Sequence, residues 1–335
     1  MNQIVTISHG SGGRMMMDLI KEIFLPHFGD SVQLTDSACL DIYGNSIAFT
    51  TDSFVVQPRF FPGGDIGKLA VCGTINDLAV TGAIPKAISS AFIIEEGFSI
   101  QELEEIIISM TAEAKSAGVS IVTGDTKVVE KGACDGMFIT TSGIGFLPHK
   151  RRDIASGRLI QPGDAIIING SIGEHGLAVM GKRRALDYQS DLQSDCACLN
   201  GLIEEALKSA PSMRFMRDAT RGGLAMVVCE LVENKSFGIE LNESTIPIKD
   251  SVVGVCEILG FDPFLIANEG KVIMVVPPEE ADLLVAKLNT HPLGENAARI
   301  GMITHQHPGH VILNTSVGGK RILDMPIADQ LPRIC

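Results

Sequence analysis

Five aspartates stand beside glycine, asparagine or small polar residues at the ends of apolar segments. They are Asp36, Asp52, Asp77, Asp125 and Asp218. A turn or a helix cap would explain any one of them, but a carboxylate is costly to bury and usually has a partner there. Carboxylates that converge from strand ends form an oxygen-rich site of the kind that magnesium prefers. Such a site predicts binding of magnesium together with a nucleotide triphosphate.

Three glycine-rich loops could supply backbone N–H groups to the phosphates of that nucleotide. They contain Gly10, Gly12 and Gly13 in HGSGG, Gly63, Gly64 and Gly67 in PGGDIGK, and Gly222 and Gly223 in TRGGL. None is a Walker loop, because Pro62 stands where the first glycine would fall and Leu69 follows Lys68 in place of serine or threonine. A tight turn explains each loop taken alone.

The last residue is a cysteine, Cys335, at the end of a segment with two prolines and little periodicity. This segment predicts an extended, mobile tail. A thiol on such a tail could swing between two sites as a carrier arm, although a solvated cysteine without a function is an open alternative. Lys127, close to Asp125, and Glu269, just before an apolar strand, are further candidates or ordinary surface charges.

Most of the other cysteines lie in apolar runs and are interpreted as reduced core thiols. Cys196 and Cys198 form a C-x-C motif, whose spacing is not typical of a zinc site. His305, His307 and His310 surround a Pro-Gly turn, which favours a solvated loop over a metal site.

Length and charge exclude several classes of protein. The chain has 335 residues, for which two domains are expected. A formal net charge of −13 repels a phosphate backbone, so we expect no nucleic-acid partner. No stretch approaches the roughly 18 uncharged apolar residues of a membrane span. The N-terminus also lacks the pattern of a signal or transit peptide, so we expect no membrane partner and a cytoplasmic location.

Apolar periodicity predicts alternating strands and helices, and therefore an α/β fold. Strands are predicted over 46–51, 85–95, 120–123, 136–146, 165–169, 238–241, 272–276 and 311–313. Helices are predicted over 66–81, 99–118, 177–186, 196–209, 224–234 and 279–289. The helix over 99–118 opens with a capping box of Ser99 and Glu102. A basic segment near residue 150 separates a first domain (1–150) from a second (151–318), and the tail (319–335) carries Cys335.

Together these blocks resemble the HypE family of hydrogenase maturation factors. That family consists of carbamoyl dehydratases in the superfamily of aminoimidazole ribonucleotide synthetase and selenophosphate synthetase. The match runs end to end through HGSGG, FFPGGDIGKLAVCGTINDLAVTGAIP, VTGDTKVVEKG, RDATRGGL, IANEGK and the terminal PRIC. The resemblance implies a two-domain aminoimidazole ribonucleotide synthetase-like fold. Its N-terminal domain would bind ATP and form a dimeric β-barrel, and its C-terminal domain would have α/β layers.

The resemblance also implies roles for single residues. Metal ligands would be Asp36, Asp52, Asp77 and Asp218. Nucleotide-binding residues would be Gly10, Gly12, Gly13, Lys68, Asn76, Asp77, Gly124 and Asp125. Cys335 would carry a carbamoyl group, with Glu269 as the base and Lys127 near the modified thiol. Thr35 stands where relatives often have another aspartate, so Asp36 alone would fill that role.

The activity that the resemblance implies is the ATP-dependent dehydration of an S-carbamoyl group on Cys335 to a thiocyanate. With magnesium and ATP, this reaction would supply a cyanide ligand for the iron centre of nickel-iron hydrogenase. Implied partners are a second copy of the chain, a HypF-type carbamoyltransferase and a scaffold of the HypC–HypD type that accepts the cyanide. Two alternatives remain open: an enzyme of the same superfamily that acts on a free small molecule, and a non-catalytic maturation scaffold.

Overall fold

The structure is a computed structural model that describes residues 4–10, 13–28, 34–184, 192–327, 331 and 333–335. Within these ranges the chain folds into two main sheets, one in each half, with helices packed on them. The α/β fold predicted from periodicity is confirmed. None of the helices in the described ranges has the length and apolar character needed to cross a lipid bilayer.

The first half is built on a five-stranded sheet with the strand order β1-β2-β7-β5-β6. Its strands are β1 (Ala38–Ile42), β2 (Asn45–Phe54), β5 (Ile84–Glu95), β6 (Ser120–Val129) and β7 (Met137–Phe146), while β3 (Phe60–Phe61) and β4 (Gly64–Asp65) form a separate ribbon. Its helices are α1 (Arg14–Leu19), α2 (Leu25–Phe28), α3 (Ile66–Val80) and α4 (Ile100–Ser116), with a π-helical turn (Ile20–Phe24) between α1 and α2. Strand β6 lies at the edge and runs parallel to β5.

The second half is built on a seven-stranded sheet with the order β14-β13-β10-β12-β8-β11-β9. Its strands are β8 (Ala165–Ile168), β9 (Phe215–Asp218), β10 (Gly238–Asn242), β11 (Val272–Val276), β12 (Ala298–Thr304), β13 (Val311–Asn314) and β14 (Lys320–Leu323). Its helices are α5 (Glu174–Arg184), α6 (Asn200–Ser209), α7 (Gly223–Val232), α8 (Asp250–Leu259) and α9 (Pro278–Leu288). Strands β8 and β11 are buried throughout, as their unbroken apolar sequences require.

Helix α3 is the central element of the first half and is buried on nearly all sides. Asp65 caps it, because its carboxylate accepts hydrogen bonds from the N–H groups of Gly67 (2.7 Å) and Lys68 (3.1 Å). Such a cap contributes about 1 kcal/mol. Gly73 allows close packing on β2, since a Cβ there would lie 2.9 Å from the Phe54 ring. The helix also contacts β9 and α6, and so links the two halves of the chain.

One predicted helix begins later than its periodicity indicates. The prediction over 196–209 is wrong at its start, because α6 begins only at Asn200. The buried side chain of Asn76 binds the preceding residues outside the helix. Its Nδ2 donates to the carbonyl oxygen of Ala197 (3.0 Å), and its Oδ1 accepts from the N–H of Leu199 (2.7 Å).

The C-terminal segment also differs from its prediction. A mobile tail was expected over 319–335, but Lys320–Leu323 form strand β14, which pairs with β13. Further along, Leu331 and Ile334 are 3% and 1% exposed. The expectation of a trailing tail is therefore wrong for these residues. Strand pairing holds Lys320–Leu323 in the sheet, and the side chains of Leu323, Leu331 and Ile334 are packed in the core.

Candidate active site

A cavity of about 490 Å³ lies where the two halves of the chain meet. Its wall contains four of the five aspartates noted in the sequence: Asp36, Asp52, Asp77 and Asp218. Asp52 lies on β2, Asp77 near the end of α3, Asp218 at the end of β9, and Asp36 just before β1. The structure thus brings four carboxylates from both halves to one space.

These carboxylates shift one another's proton affinity. Burial, and then the negative charges of Asp218, Asp52 and Asp36, raise the pKa of Asp77 well above its usual value. Thr50 opposes this effect by donating its hydroxyl hydrogen to Asp77 Oδ2 (2.8 Å). Burial and the nearby Asp36 raise the pKa of Asp218 to about 8. A cation in the cavity would relieve the repulsion among these groups.

Two arginines of the RDATRGG motif also line the cavity, and the sequence analysis missed both. Arg217 forms ion pairs with Asp36 (3.2 Å) and Glu230 (2.6 Å). Burial raises the pKa of Asp52, and the positive charge of Arg221 opposes this rise. Their positions on either side of Asp218 in the sequence were the signal that could have identified them. Guanidinium groups in this cavity are suited to binding phosphate oxygens.

Glu269 lies in the wall of the same cavity and is 3% exposed. Asp195 holds its backbone, since the Glu269 N–H donates to Asp195 Oδ1 (3.0 Å), and Lys271 Nζ binds Asp195 Oδ2 (2.9 Å). The Oε1 atom of Glu269 is buried without a hydrogen-bond partner among the described residues. Burial, with a smaller effect from Cys196, raises the pKa of Glu269 well above its usual value. A carboxyl group in this setting is suited to proton transfer.

The terminal residue Cys335 is half-buried and lines the same cavity. Backbone hydrogen bonds hold the tail against the segment that follows β2. The Val55 N–H donates to the main-chain oxygen of Cys335 (3.0 Å), and the Gln57 N–H donates to the Arg333 carbonyl oxygen (3.2 Å). Cys335 therefore lies at the cavity of its own chain.

A buried histidine that the sequence analysis did not select also contacts the tail. His175 Nε2 lies 2.7 Å from the carbonyl oxygen of Ile334, and its Nδ1 lies 2.7 Å from Ser194 Oγ. Burial lowers the pKa of His175 and favours the neutral ring. This residue adds a second anchor beside the backbone bonds of the tail.

Several residues that the resemblance assigns to nucleotide binding do not line this cavity. Asp125 and Lys127 form an exposed ion pair (2.6 Å) on β6, the strand that also carries Gly124. Lys68 lies in the first turn of α3, where its Nζ donates to the carbonyl oxygen of Gly63 (3.2 Å). Asn76 is buried, and its amide binds backbone groups, so it serves the packing between the halves.

The HGSGG segment likewise lies outside the cavity wall where the structure describes it. Gly10 is exposed at the end of a short 3-10 helix. Gly13 precedes α1 and packs against the tail, where the Arg14 N–H donates to the Pro326 carbonyl oxygen (3.0 Å). Gly12 falls outside the described residues.

Comparison with known proteins agrees with this architecture. The N-terminal domain of AIR synthase related proteins matches residues 34–147, and the C-terminal domain matches residues 161–314. The carbamoyl dehydratase HypE of Rhodobacter capsulatus is 48% identical over 99% of this chain and 98% of that protein.

Two solved structures are similar over most of their length. A crystal structure of the hydrogenase maturation protein HypE in complex with ATP covers 99% of this chain and 100% of its own, with 44% identity and a TM-score of 0.83. A crystal structure of a HypE–HypF complex covers 92% of this chain and 99% of its own, with 45% identity and a TM-score of 0.86. The chain therefore belongs to the HypE family of AIR synthase related proteins.

Proposed function

We propose that this chain is an ATP-dependent carbamoyl dehydratase of hydrogenase maturation whose substrate is the S-carbamoyl group on its own Cys335. The observation that carries the proposal is the shared cavity of Cys335, Glu269 and the four aspartates. The Rhodobacter relative is a carbamoyl dehydratase, and a HypE structure contains ATP. A cysteine that lines the same cavity as a buried carboxyl group favours reaction on the chain itself over reaction on a free small molecule. The repelling carboxylates argue against a purely structural scaffold.

The reaction needs activation because the oxygen of an S-carbamoyl group, S–C(=O)NH2, is a poor leaving group. Attack of this oxygen on the γ-phosphorus of ATP forms an O–P bond, releases ADP and one N–H proton, and gives the imidate phosphate S–C(OPO3)=NH. Cleavage of the C–O bond then expels phosphate as the remaining N–H proton is removed. The products are the thiocyanate S–C≡N, ADP and inorganic phosphate.

In this scheme Glu269 removes the proton from the imidate nitrogen. Its raised pKa makes the ionised carboxylate a stronger base than an ordinary glutamate. Arg221 lies in the cavity wall, where it can bind the transferring phosphoryl group. Burial of the site protects the imidate phosphate from water.

We further propose that Asp36, Asp52, Asp77 and Asp218 hold magnesium. The donors are all carboxylate oxygens, which suit magnesium. Burial, and then the neighbouring carboxylates, raise the pKa values of Asp77 and Asp218, and a bound cation would oppose both effects. Bound magnesium would neutralise charge on the phosphates of ATP. Arg217 already forms an ion pair with Asp36, so the carboxylates of the other three aspartates are better placed to bind the metal.

We propose that the chain forms a homodimer through the exposed edge strand β6. Apolar side chains on this strand are solvent-exposed, including Val122 (63%) and Val128 (68%), and an unpaired apolar edge favours association. A second chain on this edge is also what the dimeric barrel of the family would require. The roles proposed for Gly124, Asp125 and Lys127 in binding nucleotide or the carbamoyl oxygen depend on that dimer.

The proposed partners follow from the chemistry. A HypF-type carbamoyltransferase would load Cys335, and a HypE–HypF complex is known for a relative. A scaffold of the HypC–HypD type would accept the cyanide. A cytoplasmic location fits the eight free cysteines, because thiols persist in a reducing compartment.

The variant Cys335→Ala tests the proposal. It should bind magnesium ATP normally but form no thiocyanate. Cys134→Ala is the matched control, because Cys134 is also a half-buried free thiol but does not line the cavity. An unchanged product yield in Cys335→Ala would refute the proposal and favour an enzyme that acts on a free small molecule.

A further inference from the structure

Three thiols and one carboxylate meet where α3, α4 and the segment before α6 pack together. Cys72 is buried on α3, Glu113 is half-buried on α4, and Cys196 and Cys198 precede α6. The Sγ atoms of Cys72 and Cys198 lie 3.6 Å apart. These two sulfur atoms and a carboxylate oxygen of Glu113 all lie within 4.8 Å of one another. Cys196 is a further neighbour of Cys72, since burial and then the Cys196 thiol raise the pKa of Cys72.

The distances suit a metal ion better than a disulfide. A disulfide requires two sulfur atoms about 2 Å apart. Two thiolates bound to one tetrahedral zinc ion, each at about 2.3 Å, would lie about 3.8 Å apart, which is close to the separation observed between Cys72 and Cys198. The Sγ pair is therefore placed for a metal ion to enter with little movement of the backbone.

The carboxylate of Glu113 supports the same interpretation. Across the described part of the chain this side chain has no hydrogen bond or ion pair, although it is half-buried beside two thiols. A carboxylate without a partner in such a position is costly, and a shared cation would satisfy it together with the sulfur atoms.

We propose that Cys72, Cys198 and Glu113 bind a borderline-soft divalent cation of the zinc class, with the neighbouring Cys196 as a fourth ligand. Thiolates select such cations, whereas the all-oxygen aspartate cavity selects magnesium, so the two sites would not compete. The C-x-C spacing alone did not predict this site. The missing ligands come from two other helices, which only the fold brings into contact.

The location gives the site a structural role near the cavity. Asp195, between Ser194 and Cys196, accepts the hydrogen bond of the Glu269 backbone. A cation that clamps Cys196 and Cys198 to α3 and α4 would fix this segment, and Glu269 with it. The site would therefore hold the proposed base in place without taking part in the reaction.

Cobalt titration of the full-length, reduced, metal-free protein tests this inference. Stoichiometric cobalt should produce the near-ultraviolet absorption of thiolate-to-metal charge transfer, and zinc but not magnesium should abolish it. Cys72→Ser, Cys198→Ser and Glu113→Gln should each weaken cobalt binding at least tenfold. Cys256→Ser is the control, because Cys256 is a buried free cysteine on α8 outside the cluster.

Two results would overturn the inference. The first is the absence of thiolate absorption at stoichiometric cobalt, or its full retention in both Cys198→Ser and Glu113→Gln. Glu113 is half-buried, so Glu113→Gln should fold even if Cys72→Ser does not. The second is a Cys72–Cys198 disulfide, detected as a loss of two hydrogens in the mass of protein purified without reductant and containing no metal.

Discussion

The Nε2 atom of His175 lies 2.7 Å from the carbonyl oxygen of Ile334, the residue before the terminal cysteine. Because a carbonyl oxygen can only accept, Nε2 carries the hydrogen and donates it. Burial keeps the ring neutral, so Nδ1 accepts from the Ser194 hydroxyl at 2.7 Å. One fully buried side chain therefore fixes the tail close to the point where Cys335 enters the cavity.

Replacing His175 by alanine should slow dehydration more than carbamoylation. The Ile334 carbonyl would lose its donor, and an unsatisfied buried polar group costs about 1–3 kcal/mol. This cost corresponds to a roughly 5- to 160-fold fall in the equilibrium constant for docking of the tail. A carbamoyltransferase needs the tail outside the cavity, so loading should be unaffected or faster. Quenched-flow measurement of each step separately would show the difference.

The conservative variant His175→Gln keeps an amide donor and should recover part of the rate. His305→Ala is the control, because His305 lies on an exposed loop. If His175→Ala slows both steps equally, the residue supports the fold in general and does not position the tail.

The aspartate cavity predicts an unusual dependence of stability on pH. An unfolded aspartate ionises near pH 3.9, but Asp218 in the folded chain has a pKa of about 8. Between these values the folded chain binds more protons than the unfolded chain. The free energy of unfolding of the metal-free protein should therefore fall as the pH rises, by up to about 1.4 kcal/mol per pH unit for this one group.

Denaturant titrations between about pH 7 and about pH 8, with and without magnesium, would measure this effect. In this range an unfolded histidine is mostly neutral, so His175, whose pKa is lowered, contributes little. Magnesium should restore stability most strongly at the higher pH, and Asp218→Asn should flatten the slope. Rising stability of the metal-free protein over this range would contradict the arrangement of charges described here.

Replacing Glu269 by glutamine should block the removal of the imidate proton. The side chain keeps its size, but the amide cannot accept that proton, and loss of a general base typically lowers a rate 100- to 10,000-fold. ADP should form once per carbamoylated chain, while thiocyanate formation is lost. Thiocyanate at the wild-type rate in Glu269→Gln would exclude this residue as the base.

A negative charge introduced on strand β6 should dissociate the proposed dimer into monomers. Val122→Glu places a carboxylate on the exposed edge, where it would be desolvated at the interface. Sedimentation velocity should show a dimer for the wild type and a monomer for the variant. Ile258→Glu is the control, because Ile258 is 83% exposed on α8, away from β6. A dimer that survives Val122→Glu would place the interface elsewhere.

The sequence predicts a helix boundary well where the residues that fix this boundary are close to it in the sequence. The helix over 99–118 was identified from its cap, and α4 follows Ser99, whose side chain accepts from the Glu102 N–H (3.3 Å). The start of α6 was missed because Asn76, more than a hundred residues away, binds the segment before it. Long-range hydrogen bonds of this kind leave no periodic signal.

The same distinction applies to the site. The aspartates were recognisable because carboxylates beside apolar runs are unusual, and the cavity does contain four of them. His175 and Asp195 could not be recognised in this way. Each is a buried polar residue that binds backbone groups, and nothing in the sequence distinguishes such a residue from an exposed one of the same type. Lys127 was assigned by resemblance, and within one chain it pairs with Asp125 outside the cavity.

The most direct test is the intact mass of the chain, produced with a carbamoyltransferase partner, before and after addition of magnesium ATP. We predict one carbamoyl group per chain, absent in Cys335→Ala, and the loss of one water from that adduct only when ATP is present. A carbamoyl adduct that persists unchanged on a folded, ATP-binding chain would contradict the account and make the protein a carrier or scaffold. The absence of any adduct would instead indicate an enzyme that acts on a free small molecule.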